Sequence, residues 1–405
     1  MHRHPLMIPT ASAASGEMPG DVVLQERGSV TQAMTSTRIC VRHYLLSVSP
    51  KRDWRRQRSR VKRKQRRVHL SCIRDPDTGQ MPRTIIAPQI FTITDPVARK
   101  QLLMFIEKVK SVLTAERRPV YIDFSQTCRM VTDGTLLFYA EIDKLVRKDK
   151  NRWSGLRRMI RCSYPKDPIV EQVLQQVGIF EAVGKTGRAS IEHDTVKHWR
   201  GFTGVRLPVE EQAELMQESY QRSAGSELLT TYLNVGIQEA IINCVRHAYE
   251  YPQPDPLSKS AYVHPEPRWW MFTQVKDGML SVALCDLGIG IPASLRNAEG
   301  DQSNEEWKFS IIQAFLEKWG KDESDAELIQ AAFAIGRSKT KKPNRGKGLA
   351  EIKKVLEEAG KGNLQIYSGT GYYRFDPVTG EEKTRNYLNS AAGTLILWTI
   401  PELDG

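Results

Sequence analysis

A chain of 405 residues exceeds one typical domain, so two domains with flanking tails are expected. The 40% apolar and 26% charged fractions suit a globular protein, and no run of eighteen apolar residues occurs, which argues against a membrane-spanning helix. The formal charge of +12 is unevenly spread: residues 1–85 hold 17 Lys/Arg against 6 Asp/Glu, leaving about +1 for the remaining 320 residues. The first residues lack a continuous apolar stretch after their positive charges, so no secretory signal is expected. The six cysteines, Cys40, Cys72, Cys128, Cys162, Cys244 and Cys285, contain no CxxC pair. Reduced thiols in a cytoplasmic protein are the simplest account, with neither a disulfide framework nor a zinc site.

Residues 1–80 read as a disordered basic arm. The first twenty are rich in Pro, Ala and Ser, and residues 51–67 carry 11 basic side chains among 17. Like charges at that density repel and resist burial. Such an arm suits nucleic acid or another anionic surface, where each phosphate contact releases counterions. A solvated tail would have the same composition, and Met81 is a candidate later start.

From residue 84 to 183 strands alternate with helices. Residues 84–94 hold short β-branched runs, 95–113 have helical periodicity, and 119–124 (PVYIDF) read as a buried strand. A helix over 134–146, a strand over 159–163 and a helix over 168–177 come next, which implies a small α/β layer domain. Residues 184–207 read as a linker with Gly, Lys and His. Its His193-Asp194 pair faintly resembles a sensor-kinase phosphoacceptor, but the segment offers no long dimerisation helix, and a loop histidine is expected.

Residues 208–402 carry the chemistry. Helices are expected over 209–222 and 227–250. In the second, Leu233, Ile237, Ala240, Ile241, Cys244 and Ala248 form an apolar face, while Glu239, Asn243 and His247 step by four along another. A carboxylate can take a proton from water, and an amide oxygen one turn away can ligand a hard cation. A solvated helix face would look the same, so the downstream motifs decide between the two. A Pro-rich loop over 251–267 precedes two apolar strands, 269–275 and 279–285, joined by a Lys276-Asp277-Gly278 hairpin turn. The second strand ends in Asp286-Leu-Gly288-Ile-Gly290-Ile291-Pro292, where a buried acid can accept from an amino group and glycines let backbone approach a flat ring. Farther on, Lys339, Arg345, Gly346, Lys347, Gly348 and Leu349 lie in a glycine-rich segment that opens a helix through residue 359. Free N–H groups and the positive end of a helix dipole suit phosphates there. Strands are expected over 363–368 and 393–401, the last beginning Gly393-Thr394.

These motifs carry two resemblances. Tyr121-Ile-Asp123-Phe-Ser125, then Val131-Thr132-Asp133-Gly134 opening a helix, with a last helix ending Val-Gly-Ile-Phe180, resembles the STAS domain of anti-sigma-factor antagonists. The resemblance makes Thr132 the candidate phosphoacceptor, although Val131 stands where antagonists carry Asp. An N-cap or turn role would also suit a threonine there. The order Glu-x3-Asn-x3-His-Ala, Asp-x-Gly-x-Gly-Ile-Pro, Arg-Gly-x-Gly-Leu and Gly-Thr resembles the GHKL ATPase family, and within it the anti-sigma serine kinases.

What the GHKL resemblance implies is specific. The fold would be α/β: a STAS-like domain, then a two-layer GHKL sandwich with a mixed sheet. Glu239 would be the general base and Asn243 the Mg²⁺ ligand, with ATP as cofactor. Asp286 would accept the adenine amino group, supported by Thr394 through water. Gly288, Gly290 and Ile291 would approach the base. Lys339, Arg345 and residues Gly346, Lys347, Gly348 and Leu349 would hold phosphates under a lid over 296–345, hinged at Gly336 and Gly346. His247 would be either a structural hydrogen-bonding group or part of the catalytic set. The implied function is a regulatory ATPase or Ser/Thr protein kinase, with a STAS-type or other protein partner and a possible homodimer. Two other readings are an ATP-gated dimerisation module with a nucleic-acid-binding arm, and a histidine-kinase-like protein without a clear phosphoacceptor hairpin.

Overall fold

The alternating pattern of the first half folds into a short parallel sheet. The computed structural model describes residues 79–147, 156–188, 190, 193, 196, 199–250, 253–254, 262–263, 265–297, 313–317, 320, 322–337 and 348–401. All belong to one compact unit, His69–Gly405. The basic stretch 51–67 lies outside them, as does nearly all of the expected arm.

Strands β1 (Arg83–Ile86), β3 (Val120–Asp123) and β5 (Ile160–Cys162) pair in parallel in the order β1-β3-β5. Two-residue strands β2 (Ile90–Phe91) and β4 (Arg129–Met130) form a second parallel pair. Helix α1 (Pro96–Thr114) starts where Asp95 accepts the N–H groups of Val97 and Ala98 and proline occupies the first turn. Helix α2 (Thr132–Arg147) comes after β4, and short α3 (Leu156–Met159) leads into β5. Helix α4 (Pro168–Gln176) repeats the Asp-Pro start at Asp167, and α5 (Ile179–Ala182) closes the region. Strands and helices thus lie close to where periodicity puts them.

Among the described residues, the larger sheet has five strands in the order β11-β12-β10-β9-β6. They are β6 (Arg200–Gly204), β9 (Trp269–Lys276), β10 (Met279–Asp286), β11 (Asn363–Phe375) and β12 (Glu382–Pro401). Every pairing is antiparallel, where a mixed sheet was expected. Two of the four pairings, β9–β10 and β11–β12, are hairpins, which a short turn can close only in the antiparallel sense. Asp277 and Gly278 have φ of 52° and 69°, the pair of positive values that a two-residue hairpin turn requires. Strand β6 comes from the segment expected to be a linker, and it pairs with β9. A further two-stranded pair, β7 (Gln253–Pro254) and β8 (Tyr262–Val263), lies in the expected Pro-rich loop.

Helices α6 (Glu210–Ala224), α7 (Glu227–Asn243), α8 (Ile291–Asn297), α9 (Asp325–Arg337) and α10 (Gly348–Ala359) complete the fold. Alternation along the strands sorts the core into two faces. Trp269, Met271, Leu284 and Trp398 pack with Leu233, Ile237 and Ile241 of α7 and Val355 of α10. Their neighbours Trp270, Phe272, Cys285 and Tyr367 belong instead to the core built on α1 and α2. The five-stranded sheet is therefore covered on both faces, by α7 and α10 on one and by the N-terminal region on the other, where a two-layer sandwich is expected. The Trp-Trp-Met-Phe run of β9 is apolar on both sides, so neither face tolerates water.

Candidate functional site

The site forms where β10 ends beside the middle of the longer strands β12 and β11. Asp286, Thr394 and Ser368 are cross-strand neighbours in register, Asp286 opposite Thr394 and Thr394 opposite Ser368. By strand alternation all three share the face that carries α7. The Asp286 carboxylate is 5% exposed and accepts the Gly288 N–H at 2.8 Å. Burial pushes its pKa up to about 6, against the lowering effect of the Gly288 and Thr394 N–H groups. A buried carboxylate held by backbone donors retains lone pairs for a ligand amino group.

Ser368 ties this row together. Its hydroxyl accepts from the Ile291 N–H at 2.9 Å and lies 3.0 Å from both the Gly393 carbonyl and the Thr394 hydroxyl. It therefore joins the start of α8 to the strand that carries Thr394. Gly290 has φ +83°, and a Cβ added there would meet Ser368 Oγ at 2.7 Å. At Gly288 a Cβ would come within 2.1 Å of the Ala248 carbonyl oxygen. The loop is therefore pressed against Ala248, just beyond the end of α7, and only glycine fits that approach.

Helix α7 starts at Ser226, whose hydroxyl accepts the Leu229 N–H. Glu239 is half-buried, and Asn243, also partly buried, ends the α-helical run. Residues Cys244–Ala248 then wind as a π-turn. The wider turn shifts the residues after Asn243 off the α-helical line, so the expected four-residue stripe holds for Glu239 and Asn243 and is broken before His247. The His247 side chain is 54% exposed, with Nδ1 3.8 Å from Glu250 Oε2.

The π-turn is fastened to the Asp286 loop. The Ile289 N–H donates to the Ala248 carbonyl at 2.9 Å, and the Leu287 N–H donates to the Tyr249 hydroxyl at 2.9 Å. Tyr249 in turn donates to the Arg268 carbonyl at 2.8 Å. Burial pushes the Tyr249 phenol up, well out of the physiological range, so it stays a neutral donor. Tyr249 closes the Glu-Ala-x-x-Asn-x-x-x-His-Ala-Tyr motif, which gives it no role of its own. Ser368 is a site residue that the motifs do not single out, and a lone serine in a strand carries no sequence signal.

Of the other expected residues, Ile291 opens α8, while Gly348 and the half-buried Leu349 open α10. Lys339, Arg345, Gly346 and Lys347 lie outside the described residues, as does about half of the expected lid. The hinge candidate Gly336 lies within α9. Among the described residues no group of three or more His, Cys, Asp and Glu is placed to hold a metal ion. A Mg²⁺ at Asn243 would need phosphate oxygens to complete its shell. A buried carboxylate with a spare lone pair beside a glycine loop is the donor set that a flat base bearing an amino group would require.

Thr132 is placed elsewhere. It opens α2, is 3% exposed, and donates to Gln274 Oε1 at 2.7 Å. Gln274 alternates with Trp270 and Phe272 on the sheet face opposite Asp286. The loop residue His193 donates its backbone N–H to Gln172.

No protein-family model matches the sequence, and no curated protein matches it. The chain is an α/β protein that combines parallel and antiparallel sheets. Among the described residues no helix is long and apolar enough to cross a membrane.

Proposed function

We propose that the chain is a GHKL-type ATP-binding regulatory protein that hydrolyses ATP or passes its γ-phosphate to a protein, with a STAS-like N-terminal domain. The observation that carries this reading is the row Asp286–Thr394–Ser368 beside a glycine loop pressed on the π-turn after the helix bearing Glu239 and Asn243. In this reading Asp286 accepts the adenine amino group, and Thr394 orders the water beside it. Asn243 holds the phosphate-bound Mg²⁺, and Glu239 orients or deprotonates the attacking group. ATP with Mg²⁺ supplies the transferable phosphoryl group; the chain's residues bind, orient and move the proton. The GHKL phosphate-binding residues Lys339, Arg345 and residues 346–349 belong to the same proposal.

A second reading, an ATP-gated module with little phosphotransfer, is favoured by one observation. The Thr132 hydroxyl is buried against Gln274, on the other side of the sheet from Asp286. Transfer to it within one chain would require the N-terminal region to come away from the sheet. Incubation with ATP labelled at the γ-phosphate separates the readings, with Glu239→Ala as control. Label on the chain or on an added STAS protein supports the kinase; phosphate release without label supports the gated ATPase. Neither label nor release, together with no ATP binding, would refute both.

A further inference from the structure

Strand β11 faces two ways. Ser368 points into the candidate site, while the next residue back, Tyr367, lies in the core of the N-terminal region. Its hydroxyl is 2.7 Å from the Thr94 hydroxyl, which donates to Asp133 Oδ2 at 2.9 Å. That buried carboxylate oxygen also accepts from the Thr92 hydroxyl and the Ile93 N–H. A continuous hydrogen-bonded chain thus runs from α2 to the residue beside Ser368. On the far side, Tyr387 of β12 donates its hydroxyl to the Thr94 carbonyl at 3.0 Å.

Immediately after Ser368 the ladder slips. The register between β11 and β12 shifts at Gly369, whose φ is +61°. Two charged groups from different parts of the chain grip this bulge. Arg99 of α1, 1% exposed, donates to the Gly369 carbonyl at 3.3 Å and to the Asn389 carbonyl at 3.1 Å, with its guanidinium 4.3 Å from the Tyr387 ring centre. From the other direction, Asp325 Oδ2 accepts the Thr370 N–H and hydroxyl, both at 2.8 Å. Asp325 Oδ1 meets Arg296 at 2.9 Å, on the helix whose first N–H is held by Ser368. The loop of contacts closes: Ser368, α8, Arg296, Asp325, Thr370.

We propose that Thr94 and Arg99 are positioning residues for the nucleotide site, acting through the β11 bulge at Gly369 to set Ser368 and α8. The inference rests on the nucleotide-binding reading of that site. A buried cation over an aromatic ring, bonded to two strand carbonyls, is expensive to rearrange. Bulged strands next to sites commonly re-aim a side chain, and here that side chain is Ser368. Nucleotide that fixes Ser368 and Ile291 therefore stabilises the docked N-terminal region, and by linkage the docked region raises nucleotide affinity.

The test uses the full chain and MgATP. Amide hydrogen exchange is measured with and without MgATP over the peptides containing residues 92–99 and 367–371. Titration calorimetry follows MgATP binding by wild type, Thr94→Val, Thr94→Ser and Arg99→Met. ATP should slow exchange in both peptides. Thr94→Val and Arg99→Met should bind MgATP about fivefold or more weakly, and Thr94→Ser, which keeps the hydroxyl, within about twofold of wild type. If Arg99→Met does not fold, the wild-type exchange and the Thr94 pair decide. Wild type that binds MgATP without any change in residues 92–99 overturns the coupling and leaves the nucleotide reading standing. Wild type that does not bind MgATP removes both.

Discussion

Replacing Asp286 by asparagine tests the centre of the proposed site with almost no change of shape. Wild-type Asp286 is 5% exposed and its carboxylate accepts from Gly288 at 2.8 Å. An asparagine can keep its one oxygen on that donor, but its amide nitrogen faces either a backbone N–H or the adenine amino group. Two donors then face each other at a buried position. Leaving one buried polar group mispaired costs about 1–3 kcal/mol, so the MgATP dissociation constant should rise roughly 5- to 150-fold. Guanine carries a carbonyl where adenine carries its amino group, so the same variant should narrow the preference for ATP over GTP. Calorimetric titration with both nucleotides measures the effect, and circular dichroism verifies the fold. An Asp286→Asn chain that folds and binds ATP as tightly as wild type would refute the assignment.

Four further outcomes are expected. Because burial raises the Asp286 pKa to about 6 from an ordinary 3.8, the folded state binds the extra proton between those values. Wild-type stability should therefore fall as pH rises from about 4 to about 6, by about 2–3 kcal/mol relative to Asp286→Asn, read as the difference between their denaturant-unfolding free energies; a flat difference removes the buried-acid description. Glu239→Ala should retain MgATP binding while losing phosphate release, and normal turnover would eliminate Glu239 as the base. Tyr249→Phe should lower stability by about 1–3 kcal/mol, because it strands the Leu287 N–H in the interior and leaves the Arg268 carbonyl only the weak Cys244 thiol donor; denaturant unfolding at neutral pH measures it. Removing residues 1–80 should spare nucleotide binding and abolish any salt-sensitive affinity for nucleic acid, which a filter or anisotropy assay at two ionic strengths would show.

Local order is largely legible in the sequence because it depends on neighbours along the chain. The Asp-Pro helix starts, the Asp277-Gly278 turn and the apolar face of α7 each come from a few adjacent residues. So do Asp286 and its glycines, since an acid ending an apolar strand before Gly-x-Gly has few other uses. The long β11–β12 hairpin extends well past its expected strands: residues 382–392 of β12 are largely polar and exposed, while the far end of β11 buries the side chains of only Tyr373 and Phe375 at alternate positions, too short a pattern to mark the strand. The edge strand β6 is hidden for a similar reason, as Arg-Gly-Phe-Thr-Gly carries two glycines and one large apolar residue.

What the sequence by itself determined is the set of chemical groups, their helices and strands, and the turn that folds β9 onto β10. Only the tertiary structure decided that Ser368 lies in line with Asp286 and Thr394, because cross-strand register relates residues far apart in the chain. It also decided the fate of Thr132. A threonine opening a helix looks available in sequence, yet the two-sided apolar strand β9 recruits α2 as its cover and buries that hydroxyl against Gln274. Burial of both sheet faces is a property of the packed layers, and no window of neighbouring residues contains it.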